Sequence, residues 1–429
     1  MTTVDADRPA RSRRPLGDLR VLEFASFVAG PSAGLMLAQL GADVVRVDPL
    51  GGANDHYRWP VAPSGQSLYW SALNKGKRSV TVDVRSPAGR ELVLALATAG
   101  GPEGGVFLDN AVGQRWLAHE ALSVRRPDVV HVRVQGHRDG SPAVDYTVNA
   151  EVGVPGMTGP EIIDAPVNHV LPAWDLIAGA TAATGLLAAV HERAASGRGA
   201  FVEIALADVA LSGVANLGWL ADAELSGQDR TRLGNYVYGS FGADFATSDG
   251  QRVMVVALTE KQWHALCRVT ATEEVFGALE RALDADLDRE SERYRLRETI
   301  ASVLRPWFAA RRLAEVAEQL NGARVLWSPY RTLCQAAERF RADDDPVVRH
   351  VDQPGIGRVL AAGSPMRWTG GIPPPQPSPL LGADTADVLS SVLGLTALEL
   401  GRLHDEGVVG LGLGRRQDAG VSAAGGACP

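Results

Sequence analysis

Short apolar strands that alternate with helical stretches constrain the fold of this chain more than any other feature. Residues 20–24 and 44–47 read as buried strands, and residues 32–40 between them carry Leu35, Met36 and Leu40 at helical spacing. Gly41 follows where a helix end favours a residue that can take a positive φ. This order predicts a βαβ unit, in which a right-handed crossover joins two parallel strands.

The same alternation continues along the chain. Further strands are predicted at residues 79–84, 105–108, 129–134 and 201–205, and further helices at 87–97, 176–195 and 208–221. A chain of this pattern forms a parallel sheet with helices on both faces, so we expect an α/β fold with a Rossmann-like large domain. From about Asp222 a loop rich in Gly and Tyr, a strand at 253–257 and charged helices predict a smaller inserted α/β domain.

These changes in character give a predicted domain organisation. A tail containing the basic run 11–14 is expected to be disordered, as is a second tail rich in Gly and Ala. The predicted segments are a tail at 1–15, a large domain at 16–221, a small domain at 222–330, a return to the large domain with a Pro-rich crossing segment at 331–409, and a tail at 410–429.

Charge and composition exclude several classes of protein. The chain has 42 Lys and Arg against 50 Asp and Glu, a net charge of −8, and its cations are dispersed, which argues against a nucleic-acid surface. No run is recognised as a membrane span, and the first fifteen residues lack an apolar stretch of signal-peptide length. We therefore expect a cytoplasmic protein with neither nucleic acid nor membrane as a partner.

Asp175 is the candidate catalytic residue. It ends the run 168–175 and is followed by a long stretch of small residues that is predicted to be helical. The positive end of a helix dipole favours an ionised carboxylate, and an ionised carboxylate can attack an acyl carbon. The simpler interpretation is a helix N-cap, and that role is compatible with catalysis.

The loop between the first strand and its helix is a candidate ligand site, because such loops lie at the carboxyl end of a parallel sheet. The backbone N–H groups of Phe27, Val28 and Ala29 are candidate donors to a developing oxyanion. Taken alone, the loop is better explained as a plain tight turn between a strand and a helix. The loop also contains one G-x-S-x-G match around Ser32, but it lies too far behind its strand for a nucleophile elbow.

Two further stretches have alternative interpretations. A cationic run could hold phosphates or could be a solvated loop, and Arg46 could add a cation to the same sheet edge; the run comprises Asn74, Lys75, Gly76, Lys77 and Arg78. The Gly-rich stretch 234–242 could be a mobile lid formed by Gly239, Ser240 and Gly242, or a structural hairpin. No metal is predicted, since we find no His pair with ligand spacing, no C-x-x-C and no Walker pattern.

Taken in order and at their spacing, several stretches resemble the class III CoA-transferases from about Leu16 to Val409. The markers are residues 19–23, 29–31, 40–44, 74–79, 196–199 and 381–385. The resemblance implies an acyl-CoA substrate without a metal, an interlocked homodimer, and Asp175 as a nucleophile that forms an aspartyl-CoA thioester. It also implies that CoA is contacted by the cations Arg46, Lys75, Lys77 and Arg78 and by the neighbouring Asn74.

Within the family, stretches 138–149 and 167–175 resemble enzymes that move CoA between the two carboxyl groups of one dicarboxylic acid. Four residues are expected to lie next to the groups that contact the substrate and to hold them in position: His137, Asp145, Tyr146 and His169. The family's common Asn-Phe-Arg-Pro-Gly stretch is replaced by residues 110–114, so one CoA-contacting arginine is missing.

Three alternatives stay open. The first is intermolecular transfer of CoA to a separate carboxylic acid. The second is an α-methylacyl-CoA racemase, which is less favoured because the racemase Gly-His-Asp triplet reads Ala143-Val144-Asp145 here, so one expected base is absent. The third is a non-catalytic CoA-binding module.

Overall fold

The computed structural model describes residues 14–342, 344–369 and 373–412, so most of both predicted tails lies outside the described residues. Within these ranges the strands are β1 (Arg20–Phe24), β2 (Asp43–Asp48), β3 (Arg78–Val82), β4 (Val106–Asp109), β5 (Val130–Gln135), β6 (Ala200–Ala205), β7 (Phe241–Ala246), β8 (Arg252–Ala257), β9 (Leu326–Pro329), β10 (Val348–Gln353), β11 (Gly357–Ala362) and β12 (Val409–Gly410).

Helices of very different length connect these strands. In the described ranges the α-helices are α1 (Ala29–Gln39), α2 (Leu68–Leu73), α3 (Pro87–Ala97), α4 (His119–Arg125), α5 (Asp145–Glu151), α6 (Val154–Met157), α7 (Ala173–Ser196), α8 (Leu206–Asn216), α9 (Trp219–Ser226), α10 (Glu260–Thr270), α11 (Glu273–Leu283), α12 (Glu290–Arg295), α13 (Arg297–Ala309), α14 (Leu313–Ala323), α15 (Leu333–Glu338), α16 (Thr385–Leu393) and α17 (Ala397–Asp405).

A seven-stranded sheet forms the centre of the larger unit, in the order β12-β3-β2-β1-β4-β5-β6. All neighbours pair in parallel except β12, which runs antiparallel to β3. Val and Leu side chains of these strands are buried, as expected for a parallel sheet covered on both faces. The predicted α/β fold with a largely parallel sheet is therefore confirmed.

The strand order reverses between β1 and β4, and this places the ligand crevice. Strand β1 is followed in the chain by β2 on one side, whereas β4 pairs with β1 on the other. The loops that leave the two strands meet here, because Ser26 N–H donates to Asn110 Oδ1 at 3.2 Å and Asn110 Nδ2 donates back to Ser26 O at 3.0 Å. Open α/β sheets bind ligands at such a switch point.

The chain divides into two compact units. Of the described residues, the larger unit takes the chain up to Val152, Val170–Trp219 and the part from Arg339 onward, and the smaller takes Gly153–His169 and Leu220–Glu338. The smaller unit contains an antiparallel sheet in the order β7-β8-β9, with Phe245 and Phe308 stacked in its core at a centroid distance of 4.3 Å. The sequence analysis did not anticipate that segment 153–169 would group with the smaller unit.

Two helices differ from their predicted bounds. The predicted helix 208–221 is divided into α8 and α9, because Gly218 between them has a φ of +75°. Helix α7 begins at Ala173 rather than residue 176. At its other end, Arg193 NH1 donates to the carbonyls of Gly104 and Gly105 at 2.9 and 3.1 Å, which ties α7 to the residues before β4.

By length and composition alone, α7 could cross a membrane, which the sequence analysis did not recognise. Its apolar window has a mean hydropathy of 1.5, and 39% of it is buried. Central helices of α/β proteins pass the same test. Helix α7 packs along α1, where Gly179 lies against Ala29 and Ser32, and Ser32 Oγ donates to Ala29 O at 3.0 Å. Ser32 is thus a buried packing residue.

Replacing Gly179 by Ala is expected to lower the free energy of unfolding by about 1–3 kcal/mol, the usual cost of overpacking. The added Cβ would meet Ser32 Oγ and would lie 2.8 Å from Ala29 O. Gly185→Ala is the matched control on the same helix, because its Cβ would meet Val202 Cγ1 at an ordinary 3.5 Å. Denaturant unfolding measures both variants, and equal stability of the two would contradict the packing argument.

Candidate active site

Asp175 lines a cavity of about 370 Å³ in the larger unit, at the carboxyl edge of the sheet. The side chain is half-buried, and it is the third residue of α7 rather than its N-cap. The lining residues come from the loops after β1, β4 and β5, from the end of β5 and from the starts of α1, α7 and α8: Ser26, Phe27, Val28, Ala29, Asn110, Val112, Val134, Gln135, Gly136, Gly140, Ser141, Pro142, Ala143, Val144, Asp175 and Leu206.

Asp145 supplies the cap that the start of α7 requires. Its carboxylate accepts hydrogen bonds from the backbone N–H groups of Trp174 at 2.7 Å and Asp175 at 3.2 Å. These are two of the N–H groups that have no acceptor within the helix. Asp145 is 1% exposed, and Asn149 on the same helix accepts from the Trp174 indole at 2.9 Å. Helix α5 therefore fixes both the position and the direction of Asp175.

The electrostatics of the cavity make Asp175 an unusually basic carboxylate. Burial, and next the negative charge of Asp145, raise the pKa of Asp175 to about 6, whereas the cation of Arg58 opposes this rise. A carboxylate with a pKa near 6 is ionised at neutral pH and is more basic than an ordinary aspartate. It thus combines the charge and the basicity that a nucleophile needs.

The loop before α1 differs from expectation in one of its three candidate oxyanion donors. Phe27 has a left-handed backbone with a φ of +67°, and its N–H donates to Asp55 Oδ2 at 2.9 Å. The Phe27 N–H is therefore already used, which corrects its assignment as an oxyanion donor. Helix α1 begins at Ala29, so the N–H groups of Ala29 and Gly30 lack acceptors within the helix, and Val28 and Ala29 line the cavity.

Arg46 is buried in a network of charges instead of facing solvent. Its guanidinium is 1% exposed and bonds Asp48 at 2.9 Å and Asp55 at 2.9 Å. The carboxylates of Asp48, Asp55 and Glu23 raise the pKa of Arg46 against the effect of burial. We had expected Arg46 to hold phosphates, but its donors are directed at these carboxylates, and a contact with CoA phosphates would have to break them.

Lys77 and Asn74 belong to the same buried network. Lys77 Nζ lies 2.8 Å from Glu23 Oε2 and 2.9 Å from Asn74 Oδ1, and both charged side chains have no exposed surface. Burial lowers the pKa of Lys77 to about 8, and burial raises the pKa of Glu23. The expected contacts of Lys77 and Asn74 with CoA are therefore corrected in the same way, because these side chains are enclosed within the fold.

The other two cations of the run reach the surface. Lys75 lines a cavity of about 520 Å³ between α1 and the Pro-rich segment, and burial lowers the pKa of its ammonium group. Arg78 is paired with Asp43 at 3.2 Å and with Asp387 at 2.6 Å. Lys77 also lines this cavity, but its ammonium group is bonded to Glu23, so Lys75 is the predicted phosphate ligand that faces the cavity without an ion pair in the described structure.

Of the remaining residues predicted near the site, Tyr146 and His137 lie in the larger unit and His169 lies in the smaller unit. Tyr146 is partly exposed, and its hydroxyl donates to Val170 O at 3.3 Å in the larger unit. His137 Nε2 lies 3.6 Å from Glu151 Oε1, and His137 does not line the Asp175 cavity. His169 belongs to the smaller unit.

The predicted lid residues also lie in the smaller unit. Gly242 is part of β7, paired with Val256, so it is a strand residue and not part of a loop. Ser240 is buried, with its hydroxyl donating to Ala257 O at 3.3 Å, and Gly239 has a φ of +76° in the turn before β7. A separate cavity of about 860 Å³ in this unit is lined by Gly234, Asn235 and Tyr236 of the same stretch.

Sequence reasoning missed three residues around the nucleophile: Asp55, Arg58 and Tyr69. The guanidinium of Arg58 lies 5.7 Å from the ring centroid of Phe27 and 5.3 Å from that of Tyr69. Burial raises the pKa of Tyr69 to about 12, with a smaller contribution from the charge of Asp175. The available signal was position, because the loop after β2 leaves the same sheet edge as the loop after β1.

One group of possible metal ligands occurs in the described part of the chain, although no metal site was predicted. Glu260, His264 and Asp288 each place one ligand atom within 4.8 Å of the others at the surface of the smaller unit. His264 Nε2 lies 2.9 Å from Asp288 Oδ1 and 3.8 Å from Glu260 Oε1. A surface ion pair explains this arrangement.

The fold and the capped, half-buried carboxylate define a class of protein, and comparison with known proteins agrees. The model of CoA-transferase family III matches residues 16–385. This chain belongs to the class III CoA-transferases and is an enzyme that acts on CoA thioesters.

Individual relatives are more specific. The chain is 48% identical over 399 residues to 2-methylfumaryl-CoA isomerase from Chloroflexus aurantiacus, covering 92% of this chain and 97% of that protein. It is 30% identical over 392 residues to succinyl-CoA:mesaconate CoA-transferase from Haloarcula hispanica, covering 87% and 95% respectively. A solved CAIB/BAIF family protein from Brucella suis superposes with a TM-score of 0.70 at 24% identity, covering 88% of this chain and 99% of that one, which supports the fold.

Arg46→Met is expected to destabilise the larger unit by about 3–5 kcal/mol, because it leaves buried carboxylates without their cation. Arg20→Met on the neighbouring strand is the matched control, since Arg20 pairs with Asp43 at 3.1 Å with 24% of its side chain exposed. The control should lose less than about 1 kcal/mol. Denaturant unfolding followed by circular dichroism measures both, and a small loss for Arg46→Met would contradict the role of the network.

Proposed function

We propose that this enzyme transfers CoA between the two carboxyl groups of mesaconyl-CoA, as a 2-methylfumaryl-CoA isomerase, through an aspartyl-CoA thioester on Asp175. The observation that carries the proposal is a capped carboxylate with a pKa near 6 inside a cavity, in a chain 48% identical to a relative of that name. A C5 unsaturated dicarboxylate offers both a thioester and a second carboxylate to one nucleophile.

The reaction proceeds in two exchanges that need neither a redox partner nor a net proton transfer. The Asp175 carboxylate attacks the thioester carbon, CoA thiolate leaves, and a mixed anhydride forms. The thiolate then attacks the aspartyl carbon, which gives the aspartyl-CoA thioester and frees the dicarboxylate. The other carboxylate attacks this thioester, CoA leaves again, and attack of the thiolate on the substrate carbon of the new anhydride regenerates Asp175.

The residues around Asp175 support each step of this sequence. The orphan N–H groups at the start of α1 can stabilise the oxyanion that forms when a carbonyl is attacked. The walls of the cavity are mainly apolar, and the reaction requires a site with little water because water would hydrolyse an anhydride. Asp145 holds the backbone of Asp175 in place while the side chain changes from carboxylate to anhydride and thioester.

Intermolecular transfer to a separate acid is the second candidate, favoured by the 30% identity to succinyl-CoA:mesaconate CoA-transferase. Incubation of mesaconyl-C1-CoA with isotopically labelled free mesaconate separates the two candidates. Intramolecular transfer yields unlabelled C4 thioester, whereas intermolecular transfer places the label in the thioester pool. A racemase would instead exchange deuterium at the α-carbon of a saturated 2-methylacyl-CoA.

We also propose that the active form is a cytoplasmic homodimer with interlocked chains, as the family resemblance implies. Interlocked chains cannot separate without unfolding, so size-exclusion chromatography should show a dimer at every dilution at which circular dichroism remains native. A folded monomer on dilution would contradict interlocking.

Asp175→Ala is expected to reduce CoA transfer by more than about 1000-fold, as removal of a covalent nucleophile does in other enzymes. Wild-type enzyme incubated with mesaconyl-C1-CoA should form an adduct on Asp175 that hydroxylamine cleaves, detected by mass spectrometry of the Asp175 peptide. The variant should keep the wild-type unfolding temperature. Substantial residual exchange would show that another group carries the acyl chain.

The rate is expected to fall below about pH 6, because Asp175 must be ionised and its pKa is raised to about 6. Asp145→Asn removes the negative charge that helps to raise this pKa, so the acid limb of kcat/KM should move to lower pH. Asp128→Asn is the control, since Asp128 pairs with Arg126 at 2.9 Å before β5, at the opposite edge of the sheet. An acid limb that both substitutions leave unchanged would mean that another group controls it.

A further inference from the structure

Arg58 is a cation without a counter-charge next to the nucleophile. It is exposed, and within the described part of the chain its side chain forms neither an ion pair nor a hydrogen bond. Its guanidinium is placed by two rings of the larger unit, at 5.7 Å from the centroid of Phe27 and 5.3 Å from that of Tyr69. Such cation–π contacts fix a guanidinium while leaving its N–H donors available.

The position of Arg58 relates it to the Asp175 cavity. Phe27, over which Arg58 lies, is a wall of that cavity. The charge of Arg58 is felt at the nucleophile, because it lowers the pKa of Asp175 against burial and Asp145. Arg58 nevertheless forms no ion pair with Asp175 in the described structure, so the carboxylate is not neutralised and the guanidinium remains available to a second anion.

Several other cations near this edge of the sheet are already committed. Arg46 bonds Asp48 and Asp55, and Lys77 bonds Glu23. Arg138, in the loop after β5, is paired with Asp208 at 2.7 Å. Arg58 does not itself line the cavity but lies over Phe27, which does, and it can pair with an anionic substrate group beside that wall without breaking an existing ion pair.

We propose that Arg58, together with the hydroxyl of Tyr69, forms the subsite that binds the carboxylate not joined to CoA. This inference rests on the proposed function, and it names the residue that makes the enzyme selective for thioesters of dicarboxylic acids. A guanidinium binds a carboxylate through two parallel hydrogen bonds, which fixes the orientation of the acid. The Tyr69 hydroxyl remains a donor at neutral pH because burial raises the pKa of Tyr69 to about 12.

The same subsite accounts for transfer between the two ends of one molecule. Before the first exchange it holds the distal carboxylate, which keeps the charged end of the substrate away from Asp175. After CoA has moved to Asp175, the substrate has two carboxylates, and it turns end for end so that the freed C1 carboxylate pairs with Arg58 while the C4 carboxylate attacks the aspartyl-CoA thioester. Selectivity for the dicarboxylate and retention of the freed acid then come from one contact.

The test measures binding in an Asp175→Asn background, so that turnover does not interfere. Calorimetry compares mesaconyl-C1-CoA with 2-methylcrotonyl-CoA, in which a methyl group replaces the distal carboxylate, and with free CoA. Arg58→Gln should weaken the binding of mesaconyl-C1-CoA by about 10- to 100-fold, the range expected for charge-assisted hydrogen bonds. It should leave the affinities for the neutral thioester and for free CoA within about twofold of those of the Asp175→Asn protein. Arg58→Lys should recover part of the lost affinity for mesaconyl-C1-CoA.

Arg90→Gln is the matched control, because Arg90 is another exposed arginine, placed at 5.9 Å over the Trp116 ring. It should leave the affinities for all three ligands unchanged. The proposal is overturned if Arg58→Gln weakens the neutral thioester as much as the charged one, or if it weakens neither. Unfolding temperatures of the Arg58 variants close to that of Arg90→Gln exclude general misfolding.

Failure of the proposed function would look different from failure of this subsite. If wild-type enzyme forms no hydroxylamine-sensitive adduct on Asp175, the covalent mechanism is wrong, whatever the affinities show. If the adduct forms but Arg58→Gln does not discriminate between the two thioesters, the mechanism stands and the subsite is wrong.

Discussion

The Asp55 carboxylate is the contact on which the geometry of the active site depends. It accepts hydrogen bonds from the buried guanidinium of Arg46 and from the N–H of Phe27 in the loop before α1. Phe27 needs such a partner because a left-handed backbone is strained by about 1–3 kcal/mol for a residue with a side chain. Through this one carboxylate, the buried charge network holds the loop that faces Asp175 in a fixed conformation.

The buried network and the capped helix have separate effects on the same reaction. Arg46, Lys77 and their acids hold the loop before α1, whereas Asp145 holds the start of α7, which carries Asp175. Asp145 also places a negative charge near Asp175, which works against ionisation, and the cation of Arg58 works in the opposite direction. The resulting pKa of about 6 keeps Asp175 charged at neutral pH while leaving it more basic than an ordinary aspartate.

The sheet could be predicted from the sequence because each strand is a short apolar run with its own turn signals. Asp175 could be selected as a candidate because a long run of small residues follows it, and the structure places it in the first turn of α7. The buried surroundings of the cations that were predicted to hold phosphates could not be predicted from the sequence. Arg46 and Lys77 look like surface cations in the sequence, since their partners Glu23 and Asp55 lie outside the cationic run. Arg58 was missed for the related reason that its neighbour Phe27 is distant in sequence and contacts it through a ring rather than a charge.

Helix α7 is anchored at both ends, by Asp145 at its start and by Arg193 near its finish. The backbone that carries the Asp175 carboxylate is consequently held in a fixed position. If Asp175 carries CoA as proposed, the parts that travel during a catalytic cycle are the pantetheine arm and the small acid, and the start of α7 keeps its place.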